Sequence, residues 1–519
     1  MNMGTQLRRA AMWYADRTAI TCGNNSFTFR ELNGRVNRLA QGLLGLSLRK
    51  GERVAFLSQN RHQIIEAYYA CFKAGLVGVP LNARASIPEV VQLLNNSEAS
   101  VLIVGEELVE QVAERQKEIM TVKHYVATST SNETMINYET LLDNASSDEP
   151  ATKVGLNDIA TIDYTSGTTG GLKAAMSTHG NWISQARKQL LIPGIDLDKN
   201  SIMCHVAPLT HGTVTMVLPT LIRGGCNLIV SGFDPASLLE TIEKKRVTHL
   251  MLVPTMINFL LTYPELAKFD LSSIKTIVYA ASPMRVDKSM QAIKVFGPVL
   301  IQCYGLHESS GTLTYLPKED HIHDGDENKI KKLSSAGIPI MESDVRVVDE
   351  NGKDVKPGEI GEIVERGEDT MAGYWHDPEL TAATIVDGWL HTRDMATVDE
   401  DGYIYIVDRK SDMIISGGFN IYPFEVEEVL CRHPDVVDAA VIGVPDDKWG
   451  EAVKAIVVLK AGAQVSEDQL IELCRQKLAA YKKPRSVEFV GDLPRNPTGK
   501  VLKRVLREKY WGGQQRMVH

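Results

Sequence analysis

From about Asp234 onward the hydrophobic and polar positions alternate between helical and strand spacing. Asp234 followed by Pro235 is a cap with proline at the first helical position, and the helix runs to about Arg246. A strand from Thr248 to Val253 follows, then a helix near Thr255 to Thr262 and a strand from Ile274 to Ala280. A helix from Val286 to Phe296 and a strand from Val299 to Cys303 complete the run. This alternation predicts parallel strands with helices on their faces, so loops at the strands' C-terminal ends converge on a ligand crevice. Ala280-Ala281-Ser282-Pro283 and Tyr304-Gly305-Leu306-His307-Glu308 each fall just after such a strand.

Past residue 340 the texture changes to short strands and turns. Asp344 to Val348, the turn Asp349-Glu350-Asn351-Gly352, Gly361 to Arg366, and Tyr403 to Val407 behind Glu400-Asp401-Gly402 read as antiparallel material. After Asp408-Arg409-Lys410-Ser411-Asp412 a small unit begins, with a helix near Pro423 to Arg432 and strands near Val436 to Val444 and Ala452 to Leu459. Ser466-Glu467-Asp468-Gln469 opens its next helix with a capping-box pattern. The pattern predicts an α/β protein in two parts. Residues 1–410 form a large N-terminal domain of mainly parallel sheets flanked by helices plus a β-rich part, and 411–519 a small α+β C-terminal domain.

The length, 519 residues, exceeds what one ordinary core requires, which agrees with two domains. With 44% hydrophobic and 23% charged residues the composition is that of a soluble globular chain, and no apolar run approaches the roughly 18 residues of a membrane span. The start lacks a secretory core and the C-terminus is no peroxisomal address, so a cytoplasmic protein is expected. Seven cysteines without a C-x-x-C pair indicate neither a disulfide framework nor a zinc site. A net charge of −9 disfavours nucleic acid as a partner. The basic tail from Lys500 to Lys509 reads as a solvated helix face, with a local anion site as the alternative. The polar stretch from Thr128 to Glu133 reads as a surface loop.

One stretch changes the picture. Thr165-Ser166-Gly167-Thr168-Thr169-Gly170-Gly171-Leu172-Lys173 follows a strand expected over Ile159 to Tyr164. It is not a Walker A loop, since counting from Gly167 puts Leu172 where the second glycine should stand, and the chain contains no G-x-G-x-x-G. Its hydroxyls, glycines and lysine nevertheless offer backbone N–H groups, O–H donors and a cation to phosphate oxygens. By itself the stretch is equally compatible with an ordinary polar loop. A second lysine, Lys500 in Pro494-Arg495-Asn496-Pro497-Thr498-Gly499-Lys500, tips the balance toward ATP chemistry.

With these residues in view, the chain resembles the adenylate-forming superfamily of acyl- and aryl-CoA synthetases, peptide-synthetase adenylation domains and firefly luciferase. The likeness covers nearly the whole length. It includes Phe27 to Leu32, Tyr304 to Glu308, Gly388 to Asp394, Asp408-Arg409, Gly417-Gly418-Phe419-Asn420 and Pro494 to Lys500. It implies that Thr165, Ser166, Gly167, Thr168, Thr169, Gly170 and Lys173 bind pyrophosphate, and that Ala281, Ser282 and Pro283 line the adenine, with Tyr304 and Gly305 also at the nucleotide. Asp394 and Arg409 would hold the ribose, Glu308 would bind Mg²⁺, and Lys500 would stand between the attacking carboxylate and the α-phosphate. It implies ATP, Mg²⁺ and coenzyme A as cofactor and cosubstrates, and domain alternation about a hinge at Ser411. That movement would bring Gly417, Gly418 and Phe419 to CoA.

Several positions depart from the family's habit. His307 stands where threonine is common, and the resemblance implies that it donates to the α-phosphate or turns towards the acid pocket; Ala174 and Arg393 stand where glycine is common, Leu172 where proline is frequent, and Ser411 where the hinge is usually charged. The acid pocket is implied around Cys204 to Thr213, which includes His205, His211 and Thr213, and the segments near Val253 to Met256 and Tyr279 to Ser282, a mostly apolar lining. No aspartate between His205 and Pro219 is available to pair an α-ammonium, which disfavours an amino acid. His211 reads equally as a pocket gate or as a packed histidine. The implied reaction is ATP-dependent ligation of a fatty or aryl acid to CoA, through an acyl adenylate. Loading of a separate carrier protein and a ligand-binding homologue without turnover are the alternatives, and a homodimer is left open.

Overall fold

A computed structural model describes residues 2–129, 134–165, 172–495 and 501–512. Packing divides them into two compact units. The first holds the described residues up to Val345 together with Glu365–Leu390, and the second holds Arg346–Val364 and the described residues from His391 onward. The predicted boundary at 410 falls inside the second unit. Thr392 Oγ1 donates to Ile363 O at 2.7 Å and the Gly358 N–H to Val398 O at 2.9 Å, so the β-rich stretch groups with the C-terminal residues.

The predicted alternation is present in the first unit. Asp234 accepts from the Ser237 N–H at 2.8 Å and caps helix Pro235–Lys245, which buries Leu238, Leu239 and Ile242. These meet Leu250, Leu252, Ile257, Ile277 and Leu300 in one cluster, where each fully buried side chain contributes about 1.5–3 kcal/mol. Strands Cys226–Ile229, Ile202–His205, His249–Leu252, Thr276–Tyr279 and Leu300–Leu306 run side by side and parallel. A second sheet places Ile159–Thr165, Val77–Asn82, Arg53–Ser58, Ala99–Val104 and His124–Ala127 parallel in that order. Residues 130–133 of the predicted polar loop lie outside the described residues.

One expectation is corrected. The last strand of the first sheet does not stop at Cys303 but continues to Leu306, so Tyr304 and Gly305 lie within it. The reason is an antiparallel partner, Gly311–Leu316, that supplies backbone hydrogen bonds over those residues.

In the second unit, strands Trp389–Val398 and Ile404–Arg409 pair as a hairpin with Asp394 opposite Arg409. A further sheet runs Phe419–Ile421, Ile414–Ser416, Gly450–Leu459, Val436–Asp446, with Ser486–Phe489 parallel to Gly450–Leu459. Ser466 forms the predicted capping box on helix Glu467–Lys477. The basic tail is a second correction. Helix Lys503–Trp511 does expose Arg504 and Lys509, but Lys503 and Arg507 are only 14% and 11% exposed and are ion-paired, because carboxylates from upstream elements face them.

A buried polar node locks three helices of the first unit. The Glu66 carboxylate accepts from Arg35 Nε at 2.8 Å, Arg35 Nη2 at 3.1 Å and Tyr138 Oη at 2.7 Å, and pairs with His62 Nδ1 at 2.8 Å. Burial alone would raise its pKa; His62 and Arg35 outweigh it and hold the group at about 2, below the ordinary 4.5. A depressed carboxylate stabilises the fold above about pH 4.5 and loses that contribution as pH falls toward about 2, a total of about 3 kcal/mol. Glu66→Gln is therefore expected to be less stable than the parent at pH 7, with the gap narrowing across that window in denaturant unfolding. A pH-independent gap would contradict the assignment.

Candidate functional site

Within each sheet of the first unit the parallel strands end along one edge, and the residues implied at the nucleotide in that unit lie at or just after such ends. Ile159–Thr165 and Lys173–Thr178 pair antiparallel with Thr165 opposite Lys173, so the implied phosphate loop joins two hydrogen-bonded strands and Lys173 stands at its foot. Ser166, Gly167, Thr168, Thr169 and Gly170 lie outside the described residues. Beyond Thr276–Tyr279, Ala281 has φ of +77°, a left-handed conformation that a side chain adopts at a cost of about 1–3 kcal/mol and that is concentrated at ligand clamps. Ser282 and Pro283 follow directly.

At the end of Leu300–Leu306 the pairing shifts register between Tyr304 and Gly305. A Cβ on Gly305 would lie 1.7 Å from Gly311 O, so only glycine fits this approach. His307 and Glu308 occupy the short turn that follows. The Glu308 backbone carbonyl accepts from the Met371 N–H at 2.8 Å, which holds the main chain, and its Oε1 accepts from Tyr374 Oη at 2.8 Å, which holds the carboxylate. Tyr374 is a functional candidate the sequence did not offer, since it lies 66 positions from its partner.

The implied acid-pocket residues separate into two kinds. His205 is fully buried between Thr213 Oγ1, 3.0 Å from Nδ1, and Asn227 Oδ1, 2.7 Å from Nε2, and burial lowers its pKa to about 4. Both ring nitrogens are engaged by protein, with the Nε2–H donating to the amide carbonyl. Tyr279 is likewise buried, donating to Gln302 Oε1 at 3.0 Å with His321 Nε2 at 3.0 Å. His211 is different: its ring lies 6.3 Å from that of His307, nearly perpendicular to it. Burial, then His307 and Arg84, lower the His211 pKa to about 4. Asn60 holds the intervening loop, donating to Ala207 O at 2.8 Å and accepting from the Leu209 N–H at 2.7 Å. It too was invisible in the sequence, lying 149 positions from Leu209.

In the second unit Asp394 Oδ1 and Arg409 Nε are 3.2 Å apart across the hairpin, with the Asp394 side chain 8% exposed and that of Arg409 41%. Arg393 has φ of +62°, which explains why glycine suits this position and shows that arginine is accommodated with strain. Ser411 follows the hairpin, and Lys500 lies outside the described residues. Gly417 and Gly418 form the turn between Ile414–Ser416 and Phe419–Ile421, with φ of +59° and +83°. Phe419 is 54% exposed and stacks on Tyr481 with ring centroids 4.7 Å apart.

A hydroxyl-rich loop footed by lysine, a braced carboxylate at a parallel-sheet edge and a separate Asp–Arg hairpin are the parts of an adenylate-forming enzyme. The chain belongs to the AMP-binding enzyme family, matching it over residues 7–375 and the AMP-binding enzyme C-terminal domain over 425–500. It is 40% identical over 506 residues to a feruloyl-CoA synthase of an Amycolatopsis species, covering 97% of this chain and 98% of that protein. It is 35% identical over 528 residues to the medium/long-chain fatty-acid–CoA ligase FadD8 of Mycobacterium tuberculosis, covering 97% and 89%. Among solved structures, ATP-bound MatB from Rhodopseudomonas palustris superposes with a TM-score of 0.87 at 31% identity, covering 98% and 99%. The enzyme is an AMP-forming carboxylic acid–CoA ligase that works through an acyl adenylate. No helix among the described residues is long and apolar enough to cross a membrane.

The glycine turn gives a clean comparison. A Cβ on Gly417 would lie 2.5 Å from Trp449 Cε3, whereas one on Gly418 meets nothing within 4 Å. Gly418→Ala is expected to cost about 1 kcal/mol from backbone strain alone, and Gly417→Ala about 1–3 kcal/mol more from the clash. Thermal unfolding of the two variants checks the order, and equal costs would contradict it.

Proposed function

We propose that the acid is a fatty or aryl acid and that the residues divide the work as follows. Lys173 and the loop from Thr165 to Gly170 neutralise the pyrophosphate, Asp394 and Arg409 hold the ribose, and Ala281 to Pro283 line the adenine. Lys500 screens the repulsion between the incoming carboxylate and the α-phosphate. An oxygen of the acid attacks the α-phosphorus, and the bond to the bridging oxygen of pyrophosphate breaks. In the second step the thiol of CoA attacks the adenylate's carbonyl and AMP leaves. Domain alternation about Ser411 would exchange the Lys500 segment for Gly417, Gly418 and Phe419 between steps.

The observation that carries this reading is the placement of Glu308. A carboxylate held by Tyr374 at the C-terminal end of a parallel sheet suits a divalent cation that takes its remaining ligands from phosphate and water. Among the described residues no group of three or more His, Cys, Asp or Glu is placed to hold a metal ion by itself. When bound, the ion supplies charge neutralisation at the phosphates. An acid must still be chosen. The mostly apolar sequence around the implied pocket suits an aromatic ring or an alkyl chain, and of the two relatives one is named for a feruloyl thioester and the other for medium- and long-chain fatty acids.

A panel of hydroxycinnamic acids and medium- and long-chain fatty acids, assayed for AMP and CoA thioester, tests the class. Pyrophosphate release without thioester would point to a carrier-protein acceptor, and ATP binding without products to a non-catalytic homologue. Lys500→Ala is expected to slow adenylation by at least about 10²-fold while still converting supplied acyl adenylate to thioester. Loss of both half-reactions would remove this division of labour.

A further inference from the structure

The C-terminal helix, Lys503–Trp511, is anchored by apolar contacts and by something else. Leu506 and Tyr510 pack against the cluster of Ala440, Ile442 and Ile456, and Trp511 Nε1 donates to Gly443 O at 3.0 Å. On another side of the helix, Lys503 Nζ lies 2.8 Å from Glu427 Oε1 and 3.6 Å from Asp408 Oδ2. One turn later Arg507 Nη2 pairs with Asp412 Oδ1 at 2.7 Å, and Nη1 reaches Ser411 O at 3.4 Å. Asp408 is itself a fastener: its Oδ1 accepts from the Arg409 N–H at 2.7 Å and its Oδ2 from the Phe424 N–H at 3.0 Å. Phe424 lies in the first turn of helix Pro423–Cys431, which also carries Glu427.

Three pieces therefore meet at Lys503: the strand end just before Ser411, the first helix after it, and the start of the C-terminal helix. A buried ion pair contributes little net stability over an apolar pair of similar size, so its value here lies in fixing position. Lys500 precedes Lys503 by three residues, a tether of at most ~11 Å. Any rotation about Ser411 changes the geometry between Lys503 and Asp408 while leaving Lys503 with Glu427.

We propose that Lys503 is a positioning residue for the adenylation half-reaction: fastened to Glu427, and across the Ser411 hinge to Asp408, it fixes the point from which the segment bearing Lys500 departs. The inference rests on the role proposed above for Lys500. It also gives the uncharged Ser411 a charged neighbour, since Arg507 donates to its carbonyl while pairing with the adjacent Asp412.

Two assays on the full chain separate the half-reactions: acid-dependent ATP–pyrophosphate exchange, and thioester formation from supplied acyl adenylate, both with the acid the panel turns over best. Lys503→Met is expected to slow exchange by about tenfold or more while thioester formation stays within about threefold of the parent, the scale on which a small displacement of a catalytic group acts, and Lys503→Arg recovers most of the exchange. Equal losses in both assays, or no loss in either, overturn the proposal. Should Lys503→Met fail to fold, Glu427→Gln, which leaves Lys503 paired with Asp408, takes its place: a loss confined to exchange supports the positioning role, and equal losses or none overturn it. Lys500→Ala run alongside keeps the two readings apart. Unimpaired exchange there removes the role given to Lys500, whereas impaired exchange there with normal exchange in Lys503→Met removes only the positioning role.

Discussion

Parallel pairing is the constraint on which the first unit depends. Strands Ile202–His205, His249–Leu252, Thr276–Tyr279 and Leu300–Leu306 share one direction, so their C-terminal ends must lie along one edge. His211, Ala281, His307 and Glu308 therefore converge although they are spread over nearly a hundred positions of sequence. The antiparallel strand Gly311–Leu316 adds the local refinement. By pairing through Gly305 it carries the preceding strand far enough to set Glu308 within reach of Tyr374.

Much of this was legible in the chain. Proline after an aspartate cap, β-branched runs and helical spacing mark the alternating elements between Asp234 and Cys303, because each element satisfies its own backbone and its periodicity records the buried face. The Ser466 capping box was readable for the same reason. The extension of the strand to Leu306 was not, since its partner is a later strand and pairing is not a local property. Asn60, Tyr374 and Lys503 escape sequence reasoning on similar grounds: each acts on atoms distant in sequence, and asparagine, tyrosine and lysine are ordinary residues until those partners are known. For Lys503 the sequence points the wrong way, toward a solvated face, because a basic helix and a half-neutralised one have the same composition.

Two of the ten non-glycine residues at positive φ among the described residues bear on the site. Ala281 and Arg393, both non-glycine residues at positive φ, fall in segments the family resemblance assigns to the nucleotide, one in each unit. Strain of this kind persists only where the surroundings over-determine the backbone. At Arg393 they do: its N–H donates to Glu362 Oε1 at 3.0 Å and its carbonyl accepts from the Lys410 N–H at 2.9 Å, so the residue before Asp394 is held on both sides. Replacing the family's usual glycine by arginine thus costs conformational energy without releasing the aspartate.

The electrostatics assign the remaining burden. His205 and His211 both have pKa values lowered to about 4, principally by burial, so neither is cationic at neutral pH. Neutral imidazoles contribute no net charge against the repulsion between a carboxylate and a triphosphate. Glu308 adds negative charge, which a bound cation would offset. Under the proposed roles the compensation then falls on lysines, which keep their charge at neutral pH. A lysine on a strand end, such as Lys173, is placed by the sheet. Under the same proposal Lys500 serves a single step and then withdraws, and the contact between Lys503 and Glu427 is the support that would move with it.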